Sequence, residues 1–185
     1  MGAAVKGIVF NLLREVVVRN YSEDVWDDLI DDAGVGGAYT SLGSYPDAEM
    51  EALVGAASKR LGLPRNAVLR WFGQQAMPLL FEHYPAFFEG HDTARSFILS
   101  VNDIIHVEVR KLYVGAECPH FQFREDDDGS LAMGYVSTRK LCALAQGFVE
   151  GAATHYGEPV DFEHTTCVDH GDAHCRFRVR WPIAA

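Results

Sequence analysis

The hydrophobic period of this chain changes near Pro119, and that change constrains the fold more than any other feature. Before it, apolar residues recur at helical spacing. Val9, Leu13, Val16 and Val17 mark a first amphipathic helix in KGIVFNLLREVVVRN. Ser22 is placed to cap a second, with Trp26, Leu29 and Ile30 on its inner face. The Gly-, Ser- and Pro-containing stretch GVGGAYTSLGSYP reads as a loop. Asp47 is placed to cap a helix running through Arg60, and Pro64 opens AVLRWFGQQA, which Pro78 should kink or end. After the irregular, aromatic FEHYPAFFEG, one long helix is predicted from Thr93 to Tyr113.

Beyond Pro119 the pattern alternates. HFQFRED and SLAMGYVS read as strands joined by the turn DDDGS, and PVDFEHTTCV and HCRFRVRW as two more around DHGDA. In the last of these Cys175, Phe177, Val179 and Trp181 share one face and Arg176, Arg178 and Arg180 the other, the mark of a half-buried antiparallel strand. Between the two pairs, residues 139–156 carry Leu141, Leu144, Ala145 and Phe148 at helical spacing. The expected class is α+β: an N-terminal helical part followed by a small antiparallel sheet with packed helices. With 185 residues, 48% of them hydrophobic, and no linker or repeat, residues 1–185 are read as a single domain.

A net charge of −10 speaks against a nucleic-acid surface, and no apolar run is long and clean enough to span a bilayer. MGAAVKGIVF lacks a signal-peptide layout, and Lys6 departs from the myristoylation pattern after Met1-Gly2. A cytoplasmic protein is the expectation, its four cysteines reduced and available as metal ligands or core fillers. GVGG follows an acidic helix rather than a strand, so it is a poor phosphate loop. Neither a nucleophile–base pair nor an open catalytic zinc pattern is legible, so an enzyme is not expected.

The chemistry-bearing run is GYVSTRK. On an extended strand Tyr135, Ser137 and Arg139 would point the same way, presenting a phenol, a hydroxyl and a guanidinium to paired carboxylates or phosphates. Upstream, His106 stands in the amphipathic run SFILSVNDIIHVEVRKLYVG, where Leu99, Asn102, Val109 and Tyr113 share its face and could cover a porphyrin or pack on protein. Cys118-Pro119-His120 comes next. Alone, His106 suits a core histidine as well as a ligand. In order and spacing, with Pro119 thirteen positions past His106 and Tyr135 sixteen further on, the set resembles the H-NOX family of heme–nitric oxide/oxygen binding domains. The opening KGIVFNLL is similar to that family's first helix, and the resemblance runs from about Val5 to Trp181.

That resemblance implies a heme between the helical part and the sheet. His106 would ligate the iron, Pro119 would press on the porphyrin, and Tyr135, Ser137 and Arg139 would hold the propionates. Without Cys-x-x-Cys-His the heme would be b-type. The position at which oxygen-binding members carry a tyrosine falls on Leu144. Val9, Leu13 and Ala76 are the other expected distal residues, all apolar. The chain therefore resembles the NO-selective branch, binding NO and CO. NO would release His106, move its helix and regulate a separate bacterial partner, a histidine kinase or a cyclic-di-GMP enzyme.

Cys142, His164, Cys167 and Cys175 form a second constellation, three thiolates and an imidazole suited to a closed zinc site, with His170 and His174 as competing fourth ligands. A subset of bacterial H-NOX proteins carries this set. Two other readings compete: a small-molecule or hydrocarbon-binding module, whose family the tail CVDHGDAHCRFRV resembles, and a thiol–zinc redox sensor. Cys118 has no evident partner.

Overall fold

The computed structural model describes residues 4–182. The Met1-Gly2 reading therefore lies outside the described residues. Seven α-helices and six strands succeed one another in the order β1 (Ala4–Lys6), α1 (Gly7–Asn20), α2 (Glu23–Ala33), β2 (Ser44–Pro46), α3 (Asp47–Leu61), α4 (Arg65–His83), α5 (Ala94–Ser100), α6 (His106–Leu112), β3 (His120–Glu125), β4 (Leu131–Val136), α7 (Cys142–His155), β5 (Asp161–Thr166) and β6 (Cys175–Arg180). The class is α+β, as the change of period predicts. One addition escapes the hydrophobic pattern: β1 and β2 pair antiparallel, Val5 opposite Tyr45, around the first two helices.

The local signals explain most element ends. Ser22 Oγ accepts from the Val25 amide at 3.3 Å, capping α2, and Gly34 closes that helix at φ 65°. Elsewhere the prolines and caps depart from expectation. Pro64 lies just outside α4 rather than in its first turn, and Pro78 sits inside α4, which continues to His83. Asp47 is the first residue of α3 rather than its cap, and its carboxylate is bound elsewhere, to Arg139.

The predicted helix 93–113 is not continuous. Thr93 caps α5, accepting from the Ser96 amide at 3.1 Å. A π-helical turn then occupies Val101–Ile105, so that the His106 amide bonds back to Val101 O, and α6 starts at His106 itself. Such a turn widens a helix by one residue and re-aims the side chains beyond it.

The sheet has the order β3-β4-β6-β5, antiparallel throughout. Its inner face is plain from the register: Phe121 against Tyr135, Met133 against Phe177, Leu131 against Val179, Phe162 against Val179. Helix α7 crosses between this face and the N-terminal helices. It packs on α4 so closely that a Cβ on Gly147 would lie 2.1 Å from Arg70 O, and one on Gly73 would lie 2.6 Å from Leu144 O. Only glycine allows that approach. Glu150, buried in the same seam, is held by Arg70 Nε (2.6 Å), Gln74 Nε2 (2.8 Å) and Gln146 Nε2 (2.9 Å). Two apolar cores result, one among α1–α4 and one between the sheet, α5 and α7, with α7 contributing to both.

Candidate functional site

A cavity of about 340 Å³ opens between the two cores, and its lining is overwhelmingly apolar. That size and character suit a cofactor or a small-molecule ligand. Tyr135, Ser137 and Arg139 lie on its wall, together with His106 and Pro119. Of the apolar residues expected beside them, Val9 and Leu144 line it, but Leu13 and Ala76 do not. Leu13 faces the other side of α1, toward a smaller hollow with Trp26, Leu53 and Phe72, and Ala76 is fully buried within the helical core. Helical spacing could not separate these cases, because α1 and α4 each bury more than one stripe. Leu99 is likewise turned away, being 39% exposed, whereas Val109 and Tyr113 face the cavity.

His106 follows directly on the π turn and lines the cavity. Its ring lies 5.9 Å from that of Phe121, tilted by 26°. Burial first, and Arg110 second, lower its pKa to about 4, against a small opposing pull from the Pro119 backbone. The imidazole is therefore neutral at pH 7, with a lone pair available to a metal. One turn earlier Asn102 binds the edge strand twice: Nδ2 donates to Phe121 O (2.6 Å) and Oδ1 accepts from Phe121 N (3.0 Å). Asn102 thus anchors the helix to the sheet, and it is absent from the cavity wall.

Tyr135, Ser137 and Arg139 do not share a strand face, because β4 ends at Val136. Tyr135 is the last inward residue of the strand, and the other two lie in a turn folded back on it. The Tyr135 hydroxyl donates to Arg139 O at 3.3 Å, and the Arg139 amide donates to Ser137 Oγ at 3.1 Å. The turn thus gathers the three on one rim by hydrogen bonding rather than by strand periodicity. The Arg139 side chain is only 10% exposed and fully engaged. Its Nε donates to both oxygens of Asp47 at 3.1 Å, Nη1 to Glu117 O at 2.7 Å, and Nη2 to Glu117 Oε2 at 3.0 Å and to Ala4 O. It therefore ties β1 and α3 to the segment entering Pro119. Asp47 and Glu117 carry no local signal of this role; only the tertiary fold brings them to Arg139.

A second group lies where α7, β6 and the end of β5 meet. Cys142, Cys167 and Cys175 are buried, with Sγ–Sγ distances of 3.7 Å (142–167) and 4.0 Å (167–175). Zinc–sulfur bonds of about 2.3 Å in a tetrahedron set sulfurs about 3.8 Å apart, so the spacing suits one metal ion. Val168 N donates to Cys175 Sγ at 3.4 Å. Burial and the neighbouring thiols push the Cys142 pKa strongly up, so without a cation that thiol stays protonated. His164, His170 and His174 fall outside the cluster. The register gives the reason for His164: it pairs with Phe177, two residues along β6 from Cys175, and its ring stacks on Phe177 at 4.5 Å. Its Nε2 is nevertheless buried without a hydrogen-bond partner among the described residues.

Residues 6–164 match the family model described as Haem-NO-binding. Among solved structures, the H-NOX protein of S. oneidensis in its Fe(II)NO ligation state is 30% identical, superposing with a TM-score of 0.90 over 97% of this chain and 100% of that one. The NMR structure of the S. oneidensis H-NOX domain in the Fe(II)CO state, also 30% identical, gives 0.87 over 97% and 100%. The unliganded Fe(II) protein of K. algicida, at 24% identity, shares the fold with a TM-score of 0.82 over 97% of this chain and 98% of that one. With its cavity between helical part and sheet and its match over most of its length, this chain belongs to the haem-NO-binding, or H-NOX, family of heme gas-sensor domains.

Proposed function

We propose that residues 1–185 form a single-domain, heme-based nitric oxide sensor that regulates a separate protein. The observation that carries the reading is one neutral imidazole, His106, on the wall of an apolar cavity whose rim holds a phenol, a hydroxyl and a guanidinium. Those residues fit a b-type heme. His106 would ligate the iron, Pro119 would line the porphyrin's place, and Tyr135, Ser137 and Arg139 would hold the propionates. Glu117, 63% exposed at its side chain, is the Arg139 partner that yields its place, while Asp47 stays. The heme supplies an iron that binds a diatomic gas. The protein sets which gas: Val9 and Leu144 offer no hydrogen-bond donor, and bound O2 needs one far more than NO or CO does.

In this reading the chain has no catalysis of its own. Were NO at the heme to free His106, α6 would be able to move and to alter the surface presented to a bacterial histidine kinase or cyclic-di-GMP enzyme. The setting is read as reducing and cytoplasmic, since thiols that are to hold a metal must stay reduced. Among the described residues no helix is long and apolar enough to cross a membrane. The three thiols would hold a structural zinc; His164, whose ring stacks on Phe177 outside the thiol group, would have to turn toward it to be the fourth ligand, which would satisfy its buried, unpartnered Nε2.

The test is the absorption spectrum of the purified ferrous protein in argon, air, CO and NO. A heme spectrum that responds to CO and NO and not to air is expected. A colourless protein would overturn the heme reading and favour a small-molecule-binding module; a stable oxygen complex would overturn only the NO selectivity.

A further inference from the structure

The helix carrying His106 is held differently from the rest. Helices α1 to α5 and α7 each bury residues in a core, whereas the inner face of the π turn and α6, Ile105, His106 and Val109, lines the cavity where the heme would sit. Beyond that face, contacts at its two ends tie it to the fold. At the leading end stands the double bond of Asn102 to the Phe121 backbone, at 2.6 and 3.0 Å. At the trailing end α6 stops on Tyr113, and α4 stops on Tyr84. The two phenol oxygens are 2.8 Å apart, and both side chains line the cavity.

Little apolar packing reinforces that trailing contact. Leu112 and Val114, on either side of Tyr113, are 52% and 83% exposed. The two ends are therefore unequal: a carboxamide locked to sheet backbone by two bonds, against one bond between two phenols. Burial, with help from Tyr84, raises the Tyr113 pKa to about 12, so the phenol stays protonated and able to share that bond.

We propose that the Tyr84–Tyr113 hydrogen bond is a latch on the gas response, holding the trailing end of α6 against α4 until His106 is released, with Asn102 as the fixed hinge. The proposal rests on the reading of His106 as the iron ligand. Both tyrosines are positioning residues that act through α6. Opening the latch lets the exposed end of α6 swing while the π turn stays on β3, so motion at His106 reaches the surface at Leu112 and Val114.

The experiment uses Tyr84→Phe, Tyr113→Phe and the double variant in heme-loaded protein, since each keeps its ring and loses only the hydroxyl. Amide hydrogen exchange over residues 109–113 should rise about 2- to 10-fold in each single variant, the range the net worth of one hydrogen bond spans. The double variant should rise no further, because one bond is lost in all three. Exchange in α5, ahead of the hinge, should not change. Loss of His106 ligation after NO addition, followed by absorption, should accelerate by a similar factor. Additive effects, or unchanged exchange, would overturn the latch. Faster exchange with release at the parental rate would reduce it to a structural brace and overturn its role in the response. Protein that carries no heme would instead overturn the sensor reading itself, an outcome distinct from either.

Discussion

His106 shows how little a residue type settles and how much its surroundings do. An imidazole left in water would be half protonated near pH 6.5; here burial and Arg110 bring the pKa to about 4, leaving the lone pair free. On the proposed reading, His106→Ala should be isolated with little heme and should recover a heme spectrum when imidazole is added, because the hole left on the cavity wall admits the free base. Retention of histidine-ligated heme by the variant would show that another residue is the ligand. Leu144 poses the complementary question. Leu144→Tyr would bring a donor to a cavity wall that lacks one there, and a measurable oxygen complex is expected if the hydroxyl comes within about 3 Å of the bound gas. Oxygen affinity in the unchanged protein would show that an apolar wall is not what excludes oxygen.

Elements in this chain are arranged to bring two cores against one cavity, and a tight constraint on them is the α4–α7 crossing. Because a Cβ on Gly147 would sit 2.1 Å from a backbone oxygen, Gly147→Ala cannot be absorbed by rotating a side chain; the helices must separate. Its cost should reach or exceed the usual overpacking range of about 1–3 kcal/mol, read as a lower midpoint in chemical denaturation. Helix propensity alone predicts the opposite sign, since alanine favours helix over glycine by about 1 kcal/mol. The measurement therefore separates packing from propensity. Ser22, whose cap is legible in the sequence, is the contrasting case: its signal is local and so is its partner.

At the scale of the molecule, the thiol cluster joins the start of α7 to β6 beside the Arg139 network, since Cys175 pairs with Tyr135, whose hydroxyl bonds Arg139 O. If the cluster holds zinc, metal analysis should find about one zinc per chain. Cys167→Ser should lose that zinc and lower thermal stability, since a closed structural site contributes its binding free energy to folding. Heme content should be largely kept, because Cys167 does not line the cavity. Zinc-free protein of unchanged stability, prepared under reducing conditions, would leave the cysteines as core fillers.

The sequence by itself determined the α+β class, the antiparallel hairpin at DDDGS, the alternating face of β6 and the candidacy of His106, Pro119 and the Tyr135, Ser137, Arg139 run. The first three are carried by a local period or a turn residue, and the candidacy of the site residues by their resemblance, in order and spacing, to the H-NOX family. What only the tertiary structure decided lies between segments far apart in the chain. Asp47 and Glu117 meet at Arg139 from 92 and 22 residues away, Tyr84 meets Tyr113 across 29, and β1 pairs with β2 around a helical hairpin. The π turn before His106 belongs to the same class: VNDII has an ordinary helical pattern, and it is the grip of Asn102 on a strand 19 residues later that goes with the widened turn. Periodicity reports which side of an element is apolar. It cannot report which of two apolar stripes faces a cavity, and that is why Val9 and Leu144 line the site while Leu13 and Ala76 do not.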